Sequence, residues 1–204
     1  MSVRLISLLA AVVWSALGGV ASSQSSAPEV VRYRSAVVAL TEDAELRKTF
    51  EDTLVAKART HDYDAVTSYD LEPDVGNLDR NRFLRALASS GVQAVLMLRP
   101  AAVGAGSSLE SVRNEVSPEL FRDMQEFAGQ VSQSGGENLI AVVHMAIYVL
   151  VENDPEFISA GAVWLDEPVD SQAEGIDRLQ DLMLANVDAV RPAIREHLGL
   201  APLQ

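Results

Sequence analysis

The stretch Asp70-x-Glu72-x-Asp74, preceded by Tyr69, gathers the side chains of this sequence best placed to act together on a ligand. Carboxylates at alternate positions open a calcium-binding loop, where oxygen ligands surround a hard cation. Such a loop also needs a glycine at its sharp turn and a bidentate glutamate at its end. Val75 and Asn81 stand there instead, and Pro73 stiffens the stretch. A solvated loop is therefore a better reading than a metal site. Tyr69, Asp70, Glu72 and Asp74 remain as a candidate ligand loop with no metal implied.

Other chemistry is narrowed by spacing. His61, His144 and His197 are far apart, form no HExxH and include no pair at metal spacing. His144 lies in an apolar run and reads as a hydrogen-bonded core histidine. Its strand face continues at Ala146 and Tyr148. Whether Trp164 joins that face depends on the register of the next strand, because a one-residue slip reverses it. There is no GxSxG elbow, and neither Lys48 nor Lys57 follows a glycine loop. Gly104-Ala-Gly106 is a lone GxG after the third strand. The chain has no cysteine, which removes thiol catalysis, zinc-thiolate sites and lipid attachment through cysteine. No catalytic, metal-binding or cofactor-binding residue is assigned, and no cofactor is expected.

One helix could serve as an interaction surface. Ser117-Pro118 starts it, with serine as cap and proline in the first turn. Phe121, Met124, Phe127 and Val131 form an apolar stripe opposite Glu119, Asp123, Glu126 and Gln130. The usual fate of such a stripe is to pack on a sheet. The alternative is that it docks a partner protein.

The elements that would position these groups follow from periodicity. Tyr33 to Leu40, Tyr63 to Tyr69 and Val92 to Leu98 are short apolar runs suited to buried strands. Between them lie two helices. The first is capped by Thr41 and buries Leu46, Phe50, Leu54 and Ala58. The second runs from Asp79 to Ala88, ended by Gly91. That alternation predicts parallel pairing with right-handed crossovers. Pro100 to Val116 reads as a loop before the inserted helix. Leu139 to Val151 is a long apolar strand without alternation, which predicts cover on both faces. Asn153-Asp154-Pro155 turns the chain into Phe157 to Leu165, an antiparallel partner. Ser171-x-x-Glu174 is a capping box for the last helix, and Pro192 should kink or split it. The expected fold is α/β: one domain with a mixed sheet of about five strands, ordered βαβαβ, inserted helix, hairpin and C-terminal helix.

The first residues give an address. Met1 to Arg4 carry one positive side chain, Leu5 to Leu17 are mostly apolar, and Gly18 to Ser23 are small. That is the order of a secretory signal peptide, and it is shorter than the roughly 20 apolar residues of a membrane span. Residues 1–23 are read as leader, 24–32 as tether and 33–204 as the domain. The mature chain would then be periplasmic or secreted, with no lipid anchor and no transmembrane segment. The formal net charge is -13, from 16 lysines and arginines against 29 acids. Such a surface repels phosphate backbones, so nucleic acid is excluded as a partner.

Three local sequences carry a likeness: Phe50-Glu51-Asp52 in the first helix, Gly91-Val-Gln-Ala-Val-Leu96 leading into the third strand, and Gly161-Ala-Val-Trp164 in the hairpin. With the order of elements, they resemble a class of small bacterial periplasmic domains. That class includes the amino-terminal domain of the Tol-system translocation protein and the lipoprotein activators of penicillin-binding proteins. The resemblance implies a non-enzymatic envelope accessory or adapter acting through contact with another envelope protein. It carries no catalytic residue. The other class of function is a small periplasmic enzyme or solute-binding domain, with a site at the carboxyl ends of the first three strands.

Overall fold

The structure is a computed structural model. It describes residues 32–73, 79–104, 113–114, 116–134, 140–165, 169 and 171–202, with backbone alone at 102–104, 127–134, 140 and 172. The expected leader, all of the tether but Arg32, and Asp74 lie outside the described residues.

Residues 34 to 104 alternate strand and helix. β1 (Arg34–Ala39) leads to α1 (Ala44–Thr60), β2 (Asp64–Thr67), the short α2 (Ser68–Leu71), α3 (Arg80–Ser89) and β3 (Val92–Gly104). Then come α4 (Pro118–Ser134), β4 (Ile140–Val151), β5 (Asp154–Trp164) and α5 (Gln172–His197). The five strands form one mixed sheet in the order β2-β1-β3-β4-β5. β1 pairs parallel with β2 and with β3, while β3–β4 and β4–β5 are antiparallel. This is the expected architecture. The crossover helices make parallel pairing possible, and the hairpin supplies the antiparallel part.

The two faces of the sheet are covered unequally. One face meets α1 and α5 in a large core around Phe50, Leu54, Leu98, Val143, Leu179 and Met183. Burying one such side chain contributes about 1.5–3 kcal/mol. On the other face α3 brings Leu87 against Val38, Val66 and Val95. Further along that face, α4 sets Phe121 and Met124 on Val142, with Ala162 and Trp164 beside them. Between α3 and α4 the sheet is only partly covered. Hence β4 is not buried on both faces throughout: alternate residues His144, Ala146, Tyr148 and Leu150 are only half-buried.

Several ends differ from expectation. Asp43, not Thr41, caps α1, accepting bonds from the Glu45 and Leu46 amides at 3.0 Å. Thr41 instead accepts from the Asp43 amide. A carboxylate is the better partner for the positive helix end. β2 stops at Thr67, whose hydroxyl caps α2, so Tyr69 is helical. β3 runs on to Gly104 through Pro100. The register shifts between Pro100 and Ala102, which absorbs the missing amide donor in a bulge. Pro192 does not split α5, which continues through it for 26 residues. Ser171 caps that helix as expected, accepting from the Glu174 amide.

Candidate functional site

Parallel strands end with their carbonyl ends on one side of the sheet, the usual place for a ligand in α/β folds. Here that side is organised by Glu51. Residues Glu51, Val55 and Ala58 lie at i, i+4 and i+7 on α1, all on its buried side. The helix therefore carries the carboxylate into the interior, where Glu51 is fully buried. Its Oε1 accepts from the Ala39 amide at 2.8 Å, at the end of β1. Its Oε2 accepts from the Ser68 amide at 2.7 Å, at the end of β2. The buried Ser68 hydroxyl donates to the same carboxylate at 2.7 and 2.8 Å. Burial pushes the Glu51 carboxyl up. The bonds from Ala39 and Ser68, and the Arg47 charge, pull it back only in part.

The candidate ligand loop lies around this clasp. The Tyr69 hydroxyl donates to Asp52 on α1. The Asp70 amide donates to the Thr67 hydroxyl. Glu72 is buried and paired with Arg82 of α3, with N···O distances of 2.7 Å to both carboxylate oxygens. The structure thus brings Tyr69 and Glu72 to neighbouring helices as struts of the fold. Both Glu51 oxygens are filled by internal donors, so the clasp holds two strand ends rather than presenting a base. Among the described residues, no three His, Asp or Glu side chains converge on a point where a metal ion could sit.

In the sequence, Glu51 stands out only within the Phe50-Glu51-Asp52 likeness. Its stripe with Val55 and Ala58 was the signal that could have singled it out, since a lone acid on a buried helix face needs donors waiting for it.

Of the stripe on α4, Phe121 and Met124 are buried on the sheet. Arg113 lies over the Phe121 ring at 5.2 Å, a cation–π contact. The side chains of Phe127 and Val131 lie outside the described residues. The hairpin register answers the question of Trp164. Trp164 stands opposite Val142 and Ala162 opposite His144, so Trp164 shares the His144 face.

The outer strand β5 is the most open element of the sheet. Of its eleven residues only Val163 is buried. Phe157 is 59% exposed, the most exposed large apolar side chain among the described residues, and its ring meets Tyr148 edge-on with centroids 5.8 Å apart. Among the described residues no strand pairs with the outer side of β5.

No family model matches this chain, and no curated protein matches it. Among solved structures, the lipoprotein GNA1162 from Neisseria meningitidis is similar over 78% of this chain and 98% of its own, at 12% identity and a TM-score of 0.41. No helix among the described residues is long and apolar enough to cross a membrane.

Proposed function

We propose that this protein is an exported, non-enzymatic accessory of the cell envelope that docks another envelope protein along the free edge of β5. The observation that carries the reading is the edge itself. Phe157 to Trp164 is an uncharged run of eight residues on a strand whose outer side has no partner among the described residues. Exposed edges of this length offer a row of backbone donors and acceptors, and proteins usually blunt them with charge or proline. Within β5, Asp154, Pro155 and Glu156 guard the end next to the turn. A partner strand added at such an edge gains main-chain hydrogen bonds, with side-chain specificity from alternate pockets. Phe157 stands ready as an aromatic anchor. The export leader read from the sequence supports the compartment, and the filled clasp at Glu51 supports binding over catalysis.

Lysine at the edge tests this. A Cβ at Gly161 meets nothing within 4 Å, so Gly161→Lys starts its side chain in open space. Gly161→Lys and Ser159→Lys are expected to abolish co-purification of a crosslinked envelope partner while leaving the melting temperature unchanged. Retention of the same partner by both variants would refute strand addition.

A further inference from the structure

We propose that the strand added at β5 carries a large apolar side chain, above all an aromatic ring, that fills a gap over Ala160 and Ala162. This rests on the strand-addition reading above and adds to it the chemistry of the partner.

Register locates the gap. Residues directly opposite on neighbouring strands share a face of the sheet. Phe157 stands opposite Tyr148, Ala160 opposite Ala146, Ala162 opposite His144 and Trp164 opposite Val142. These residues of β5 therefore form one row on the side of the sheet that carries α3 and α4. Phe157 and Trp164 rise at its two ends, and alanines stand between them. The register shift between Ile147 and Tyr148 puts a step of three residues between Phe157 and Ala160, which widens the gap beside the Phe157 ring. The gap also has depth. Ala160 and Gly161 line the β5 side of a concavity of about 500 Å³ that runs inward over Ala146 and Tyr148 to Met97. The concavity thus opens at the edge along which an added strand lies.

Pairing geometry decides what fits there. A residue opposite Ala160 on an added strand has its Cβ about 4.5–5.5 Å away, and diagonal neighbours are within reach of an aromatic side chain. A ring at that position covers Ala160 and lies between Phe157 and Trp164, where edge-to-face contact is available on both sides. A small side chain leaves a void instead, and the atoms lining it forgo their dispersion contacts. Phe157 and Ala160 are exposed and Trp164 is half-buried without a partner, so each loses apolar surface to the ring. Main-chain bonds along β5 accept any strand, whereas this gap selects for one large residue in it.

The test is fluorescence anisotropy of the purified protein with two labelled peptides. Both alternate threonine and valine; one has phenylalanine at its centre and the other alanine. The phenylalanine peptide is expected to bind about tenfold tighter, as burial of one large side chain predicts. Ala160→Leu fills the gap from an exposed position. It should erase that difference and leave the alanine peptide bound as before. Gly161→Lys should weaken both peptides alike. Equal affinity of the two peptides, or a difference that survives Ala160→Leu, would overturn the proposal; strand addition itself then stands if Gly161→Lys weakens both. Binding of neither peptide, or binding of both undiminished by Gly161→Lys, would refute strand addition and this inference with it.

Discussion

Glu51 joins two strand ends through one buried carboxylate, and its replacement exposes what that joint is worth. Glu51→Gln keeps one acceptor oxygen and turns an NH2 group against a backbone N–H. We expect a loss of about 1–3 kcal/mol, the cost of an orphaned buried donor, read by urea unfolding. The pH response has a definite sign. Burial, the dominant effect, raises the Glu51 carboxyl above its usual value of 4.5. The folded state therefore binds a proton more readily than the unfolded one, and this group's contribution is lost as pH rises through the raised value. Unfolding midpoints of Glu51→Gln should lack that decline above pH 4.5. A second buried group sits at the opposite end of the parallel strands. Tyr63 donates to Asp188 at 2.5 Å, beneath the Arg191 guanidinium at 4.4 Å. Burial first, then the Asp188 bond, raises the Tyr63 hydroxyl well above its usual value near 10. Its stabilising contribution is complete at neutral pH and fades only in strong alkali. Tyr63→Phe should cost about 1 kcal/mol at neutral pH and less in strong alkali, where the unfolded wild-type chain ionises this hydroxyl before the folded protein does.

At the scale of elements, the hairpin between β4 and β5 departs from ordinary turn chemistry. Val151 pairs with Asp154, and the two residues between them, Glu152 and Asn153, have φ of 52° and 72°. Two left-handed residues in a two-residue loop suit Asn-Gly. Glu152→Asn with Asn153→Gly should therefore stabilise the protein by roughly 0.5–1 kcal/mol, seen as a higher melting temperature. The joint between α1 and α5 depends on Lys57, which reaches Asp177 and Asp181 at 2.8 and 2.7 Å. Burial of its stem opposes the charge, and the two carboxylates outweigh it, so the ammonium is held above its usual range. Periodicity made these elements legible, because the apolar runs, the Gly91 stop and the Ser171 cap each carry a local signal. What it missed depended on pairing. Pro100 could remain in β3 only because a bulge absorbs it. The face of Trp164 needed the register. The open strip on β4 needed the placement of α3 and α4, which no single segment encodes.

For the whole molecule, the account makes β5 the working border of the sheet. The opposite border, β2, has only four residues, three of them buried, and offers little to a partner. The edge was legible in the sequence as an uncharged run, but that Phe157 to Trp164 lies outermost follows only from the strand order. The most direct measurement is photocrosslinking in cells with a benzophenone amino acid at Phe157, compared with the same group at exposed Ala185 on α5. The account predicts a discrete adduct with one envelope protein from position 157, absent from position 185 and lost when Gly161→Lys is added. No adduct from position 157, or one that survives Gly161→Lys, would contradict docking along β5.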